Sequence, residues 1–230
     1  MLALIACVST AQATTINWGT YFDPFRTTSL LFDSNGNPLD DTYVFELGTF
    51  GSFIPTESNL SDWSANWKVF DRAKLGDGWI SSSGTIGHNA TLEEDFTTSN
   101  AALSQTTFFT PGEQAFIWAY KDASGSPSPS PIFSPDFEWA LLTDNDGLNG
   151  DDWLMPSPSG HLALSLDWRI EDATFSPFGG LLDTQYDGVY NSTPGAFILQ
   201  THTAPVPEPG TALLLALPAA LGLRRRRVVA

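Results

Sequence analysis

The feature that most constrains the fold is a series of short apolar and aromatic runs, each bounded by turn-forming residues such as glycine, proline and aspartate. Runs this short favour β-strands, because helices need longer amphipathic segments. In Gln114–Lys121, aromatic side chains alternate with small or branched ones, so we expect both faces of that strand to be covered. The predicted strands are Thr42–Leu47, Gly78–Ser83, Gln114–Lys121, Phe137–Thr143, Leu162–Arg169 and Ala196–Thr201.

Helical periodicity is confined to Asn59–Lys74. There the large apolar residues recur at steps of three and four, at Leu60, Trp63, Trp67 and Phe70. Asn59 is a good N-cap, so the segment predicts one short helix that lays its aromatic side chains on a sheet. Parallel strands need a crossover helix, so a single helix favours antiparallel pairing. The sequence predicts an all-β chain with an antiparallel β-sandwich or jelly-roll-like single domain.

Residues 14–204, the predicted body, hold six basic and 25 acidic residues, which gives a formal charge of −19. A surface this acidic repels phosphate backbones, and nucleic acid is therefore excluded as a partner. The chain is 42% hydrophobic and has eight tryptophans, a composition that excludes intrinsic disorder. A body of this length can bury a core without disulfides.

The N-terminal residues 1–13 have the pattern of a secretory signal peptide. The apolar run Met1–Val8 precedes Ala11-Gln12-Ala13, a small-residue cleavage pattern, although no basic residue comes before the run. Two alternatives stay open, a buried N-terminal element and lipidation at Cys7, since Leu4-Ile5-Ala6-Cys7 resembles a lipobox. Cleavage after Ala13 would leave a chain without cysteine.

The C-terminal residues 205–230 contain three elements in order: Pro207-Glu208-Pro209, the apolar segment Thr211–Leu223 and the basic cluster Arg224–Arg227. A helix of the apolar segment would span roughly 20 Å, which is short of a hydrocarbon core of about 30 Å. Pro218 weakens that helix further. We expect the arginines to stay on the cytoplasmic side and the rest of the chain to lie outside.

This tail resembles the PEP-CTERM sorting signal of Gram-negative and related bacteria. The residues that carry the resemblance are Pro207, Glu208 and Pro209 of the motif and Arg224, Arg225, Arg226 and Arg227 of the basic cluster. The resemblance implies a C-terminal hydrophobic sorting helix and processing by an exosortase, an integral-membrane peptidase or transpeptidase. It also implies transient association with the inner membrane, then delivery to the cell surface or outside, often with extracellular polysaccharide. A plain tail anchor is the alternative.

The best candidate for a ligand site is the stretch 144–152, which is rich in aspartate, asparagine and glycine. Its carboxylates, at Asp144, Asp146, Asp151 and Asp152, could supply several of the six to eight oxygens that calcium takes. The spacing is not that of an EF-hand, and a solvated acidic turn is the alternative. A weaker set of the same kind consists of Asp33, Asn35, Asp40 and Asp41.

No catalytic motif accompanies these features. His88, His161 and His202 lack metal-ligand spacing, and we find no nucleophile motif. We therefore expect a non-enzymatic protein without catalytic residues and with no cofactor except the calcium considered above. One alternative is a carbohydrate-binding module of the polysaccharide matrix, which predicts tryptophans exposed on one face. A secreted hydrolase is the third hypothesis, and its candidate carboxylates are Glu93, Glu94, Asp95, Glu138 and Glu171.

Overall fold

The computed structural model describes residues 13–20, 31–104, 106–121, 138–148, 152–157, 165–181 and 199–203. The predicted signal segment up to residue 12 lies outside these residues, and so do the whole sorting segment 205–230, Cys7, Asp151 and His161.

The described chain is mostly β-structure. Its strands are β1 (Thr14–Gly19), β2 (Leu31–Phe32), β3 (Tyr43–Thr49), β4 (Lys68–Leu75), β5 (Gly78–Ile80), β6 (Thr85–Leu92), β7 (Ala115–Lys121), β8 (Glu138–Thr143), β9 (Ser165–Arg169), β10 (Phe175–Phe178), β11 (Gly180–Leu181), β12 (Leu199–Gln200) and β13 (His202–Thr203). The helical segments are a 3₁₀-helix at Glu57–Asp62, the α-helix α1 (Trp63–Asn66) and a 3₁₀-helix at Ile170–Asp172.

Ten of these strands form one large mixed sheet in the order β10-β8-β7-β3-β4-β5-β6-β1-β9, with β13 also paired to β8. A small sheet has the order β11-β12-β2. The all-β prediction is confirmed, but the prediction of purely antiparallel pairing is wrong: β1–β9, β4–β5 and β2–β12 are parallel. Strands far apart in sequence, such as β1 and β9, reach parallel neighbours through intervening strands, so they need no crossover helix.

The sheet curls around a main core. Ile16 and Trp18 of β1 lie in the same buried cluster as Phe45 of β3 and Ile117 of β7, although many strands separate β1 from β7 in the sheet. Curling therefore brings the two halves of the sheet onto one hydrophobic interior, where burial of apolar surface stabilises both.

A second, aromatic core lies on the other face of β3, β7 and β8. It contains Trp118 and Trp139 from the strands, covered by Phe50, by Trp63 of α1 and by Phe178. Trp139 stacks on Phe178 with ring centroids 3.8 Å apart. The prediction that both faces of Gln114–Lys121 are covered is thereby confirmed.

The helix prediction for Asn59–Lys74 is wrong beyond Asn66. The backbone is extended at Trp67, and Lys68–Leu75 pairs with β3 as a strand. Trp63 faces the aromatic core whereas Phe70 packs on Phe109 in the main core, with ring centroids 5.1 Å apart. A continuous helix would place both side chains on one face. The N-cap is Thr56, and Asn59 instead accepts a hydrogen bond from the Thr56 amide with its side chain.

The six predicted strands coincide with β3, β5, β7, β8, β9 and β12. Strand β5 ends at Ile80 instead of Ser83, because the amides of Ser83 and Gly84 close turns on the carbonyls of Ile80 and Ser81. The predicted strand residues 137, 162–164 and 196–198 lie outside the described chain.

Candidate functional site

The acidic loop that begins at Asp144 comes directly after β8 and is fixed at both ends. The Trp153 amide donates to the carbonyl of Asp144 at 3.0 Å, and the Ala115 amide donates to the carbonyl of Trp153 at 2.7 Å. The Gln114 side-chain amide also donates to the carbonyl of Asp144, at 3.0 Å. The start of β7 thus holds the two ends of the loop together.

This closure brings three of the four predicted calcium ligands together. Carboxylate oxygens of Asp144, Asp146 and Asp152 all lie within 4.8 Å of one another, with Asp144 buried and Asp146 exposed. The fourth predicted ligand, Asp151, lies outside the described residues. Clustering of Asp144, Asp146 and Asp152 agrees with the sequence-based prediction, whereas ion binding itself stays a prediction.

Hydrogen bonds orient each of these carboxylates. Thr174 donates its hydroxyl to Asp144 Oδ1 at 2.6 Å, the Leu148 amide donates to Asp146 Oδ1 at 2.7 Å, and the Gly147 amide donates to Asp152 Oδ1 at 3.0 Å. Gly147 has a φ of +71°, a conformation that glycine adopts without strain. The loop therefore presents an ordered set of oxygen atoms.

Three carboxylates this close repel one another. At 4.8 Å each pair of unit charges costs about 0.9 kcal/mol in water, and more where the dielectric constant is lower. A hard divalent cation such as calcium removes this repulsion and prefers oxygen ligands. The residues present therefore fit calcium in charge and donor type.

The weaker acidic set makes hydrogen bonds within turns at Asp33 and Asp40 and a long-range one at Asp41. Asp33 accepts from the amides of Asn35 and Asn37 at 2.9 and 2.7 Å, Asp40 accepts from the Thr42 amide at 2.9 Å, and Asp41 accepts from Ser81. Within the described part of the chain, these residues do not form a metal-binding group.

The carboxylates proposed for a hydrolase lie on separate elements. Glu93, Glu94 and Asp95 follow β6, Glu138 begins β8, and Glu171 lies in the 3₁₀-helix after β9.

Glu138 accepts hydrogen bonds from Ser34 Oγ at 2.5 Å, Tyr43 Oη at 2.7 Å and Thr201 Oγ1 at 3.1 Å. Burial raises the pKa of Glu138, but these donors together hold it below the ordinary value. Glu138 thus joins the loop after β2 to β3 and to the chain between β12 and β13.

All eight tryptophans lie in described residues, and none is exposed: seven are buried, and Trp67 is partly buried. The exposed tryptophan face that the carbohydrate-binding hypothesis predicts is therefore not present. Tryptophan-rich composition reflects core volume here because β3, β7 and β8 are packed on both sides.

An aromatic groove that the sequence did not indicate lies beside the acidic loop. Its volume is about 260 Å³, and its lining includes Phe53, Ile54, Phe116, Asn145 and Phe175. Ile54 is 75% exposed and Phe175 48% exposed. Asn145 belongs to the acidic loop as well, so the groove and the carboxylates are adjacent. Phe175 lies outside every predicted strand, which is why sequence reasoning missed the groove.

Two buried polar networks were also missed. Glu46 is fully buried and accepts from Trp67 Nε1 at 2.7 Å, from Tyr120 Oη at 3.0 Å and from the Arg72 guanidinium, whose Nε lies at 2.7 Å. Burial raises the pKa of Glu46, although Arg72 opposes this. A charged residue inside a strand with two covered faces is the sequence signal that indicates such a network.

The second network surrounds Asp71, which is fully buried. Its carboxylate accepts from Trp18 Nε1, His88 Nδ1 and Asn100 Nδ2, each at 2.7 Å. His202, by contrast, lies in β13, where its Nδ1 is 2.9 Å from the carbonyl of Thr203.

Comparison of the chain with models of protein families, with characterised proteins and with solved structures gave no match. Among the residues that the structure describes, no helix has the length and apolar character needed to cross a membrane.

Proposed function

We propose that this chain is a non-enzymatic, exported protein of the cell surface or extracellular matrix, sorted by an exosortase. The observation that carries the proposal is the order of three elements in the C-terminal sequence: Pro207-Glu208-Pro209, then an apolar segment, then four arginines. The bounds of the described β-structure are compatible with it. Strand β1 begins at Thr14, which cleavage after Ala13 would leave as the first residue.

The body, residues 14–204, is proposed as a single sandwich-like or jelly-roll-like domain. Support comes from the main core, which strands of both halves of the curled sheet share, and from the small sheet, whose Leu31, Leu181 and Leu199 join the same core. Calcium is the proposed ion of the acidic loop, because Asp144, Asp146 and Asp152 converge there.

The sorting proposal is tested by replacing Pro207, Glu208 and Pro209 with alanine in the native host. The matched control replaces Pro127 and Pro129, two prolines of the Ser-Pro stretch in the body. We expect wild type and control to lose the tail, as measured by intact mass, and to leave the membrane fraction. The motif variant should remain full length and membrane-bound. Unchanged mass and location of the motif variant would contradict the proposal.

The basic cluster allows a charge-matched comparison. Changing Arg224–Arg227 to alanine should impair retention and processing, whereas changing the same residues to lysine should preserve both, because the cluster acts through its positive charge. Equal processing of the two variants would show that the charge has no role.

A carbohydrate-binding role in the polysaccharide matrix is the second candidate, and the aromatic groove now favours it in place of tryptophans. Aromatic faces beside amide side chains suit sugar rings, and Phe175 and Asn145 provide both. The Phe175→Ser variant should lose binding to the polysaccharide of the producing organism in a fluorescence titration. The control is Phe108→Ser, since Phe108 is 60% exposed and does not line the groove. Absence of binding by the wild-type protein would remove this candidate.

A further inference from the structure

His88 lies between two carboxylates. Its Nδ1 is 2.7 Å from Oδ2 of the buried Asp71, and its Nε2 is 3.2 Å from Oδ1 of Asp77. Asp71 is a residue of β4, whereas Asp77 belongs to the tight turn between β4 and β5. The imidazole of β6 thus connects the interior of the sheet to an exposed turn.

The charge of the ring follows from these contacts. A neutral imidazole carries one N–H, so one of its nitrogens would direct a lone pair at a carboxylate oxygen. The imidazolium donates from both nitrogens and satisfies Asp71 and Asp77 together. The hydrogen bond from His88 to Asp71 raises the pKa of His88 against the opposing effect of burial, and Asp77 adds to the increase.

The described groups packed around the ring add no competing charge. From β1, the neutral Trp18 lies opposite His88 in the register. Lys74, the other charged residue next to the turn, is exposed. On β9, beyond β1, Asp167 and Arg169 pair with each other. Among the residues that the structure describes, Asp71 and Asp77 are therefore the charges that act on His88.

The turn between β4 and β5 packs directly against the His88 ring. Lys74 and Asp77 exchange two backbone hydrogen bonds of 2.8 Å, and Gly78 has a φ of +82°. A Cβ at Gly78 would lie 2.6 Å from Cδ2 of His88, so the ring rests directly on the glycine. Gly76 and Gly78 also line a cleft of about 480 Å³, together with Ile80, Thr20 and Arg169.

We propose that the His88 imidazolium is a pH-sensitive latch that holds the turn 75–78 against β6 and thereby fixes this side of the cleft. When the pH rises, the proton leaves Nε2 for water, because Nδ1–H remains bonded to the buried Asp71. The Nε2 lone pair then faces the Asp77 carboxylate. Asp77 is 60% exposed, so it turns away into solvent and the turn is released.

The direction of the pH dependence follows from the raised pKa. The latch contributes its full stabilisation below the pKa that His88 has in the open turn, where Asp71 still contacts it, and loses this stabilisation as the pH rises through the higher pKa of the closed turn. Deprotonation of His88 lowers the ratio of closed to open turn about tenfold for each unit by which its pKa in the closed turn exceeds its pKa in the open turn.

The test follows His88 by NMR in the full-length chain, with the resonance assigned through His88→Gln. The titration midpoint should lie above 6.5 in wild type and lower in Asp77→Asn. The Asp77 variant alters an exposed side chain and leaves the Asp71 network intact, so it carries the test even where His88→Gln fails to fold. A midpoint at or below 6.5, or an equal midpoint in Asp77→Asn, would overturn the proposal.

Hydrogen exchange supplies the second measurement. The Asp77 amide, which bonds to the carbonyl of Lys74, should lose protection as His88 titrates. The expected loss is about tenfold for each pH unit between the titration midpoints of wild type and Asp77→Asn. The amide of Ile117, in the β7 ladder with β3, is the internal control and should stay protected. Protection of the Asp77 amide that is flat across the titration, or that falls equally in Asp77→Asn, would refute the latch.

Discussion

Replacing Asp146 with asparagine removes one of the three carboxylates of the acidic loop while keeping an oxygen that can accept from the Leu148 amide. Without calcium, the change removes two repulsive pairs of about 0.9 kcal/mol each in water. Screening at physiological salt reduces this total to about 1 kcal/mol. The variant should therefore be slightly more stable than wild type when calcium is chelated.

With calcium the order should reverse. Sites of extracellular proteins bind calcium with Kd values of about 10⁻⁴ to 10⁻³ M. At 10 mM calcium, such a site stabilises the folded protein by about 1.4 to 2.7 kcal/mol. For a domain of this size that corresponds to a rise in Tm of roughly 3 to 11 °C. Asp146→Asn should show less than about half of this rise, because it has lost a charged ligand.

Differential scanning calorimetry in EDTA, in 10 mM magnesium and in 10 mM calcium measures both effects. The control is Glu94→Gln, which neutralises an exposed acid outside the loop. It should respond to calcium as wild type does. A wild-type Tm that is the same in EDTA and calcium would refute the calcium proposal, as would an equal rise in Asp146→Asn.

Two further predictions concern the buried charges. Glu46→Gln and Arg72→Met should each cost about 3 to 5 kcal/mol in urea unfolding, because each removes one half of the buried Glu46–Arg72 ion pair. The double variant should cost less than the sum, and additivity would contradict the network. The pKa of Glu138 is held below 4.5, so the stability it contributes is present above that value and is lost as the pH falls through its folded pKa. Glu138→Gln should flatten acid unfolding relative to wild type, and an unchanged profile would count against this assignment.

Short apolar runs were sufficient to predict β3, β7 and β8, because all three strands are buried on both faces. Strands β1 and β6 were missed because threonine and asparagine break up their apolar content, although Ile16, Trp18, Ile86 and Ala90 do alternate with polar residues. The helix prediction failed because a spacing of three or four residues also fits a chain that turns from one core to the other between Trp63 and Phe70.

The candidate site was predictable in part for a similar reason. Aspartate and glycine at close spacing predict a compact acidic turn, and Asp144, Asp146 and Asp152 do converge. The groove was not predictable, because Phe53 and Phe175 come from distant segments that only the curled sheet brings together. The His88 contacts likewise depend on β6 lying near Asp71 and the turn that follows β4.

The acidic loop and the groove are physically linked through Asn145. This residue lines the groove, lies between two of the clustered carboxylates, and has its amide bonded to Thr174 Oγ1, which in turn donates to Asp144. Phe175 follows Thr174 in the chain, so a ligand that moves Phe175 would also move Thr174, whose hydroxyl donates to Asp144. Coupling between two binding sites is reciprocal. If a polysaccharide increased the affinity for calcium by some factor, calcium would increase the affinity for that polysaccharide by the same factor. Asp146→Asn should reduce this factor, because the variant lacks one of the proposed calcium ligands.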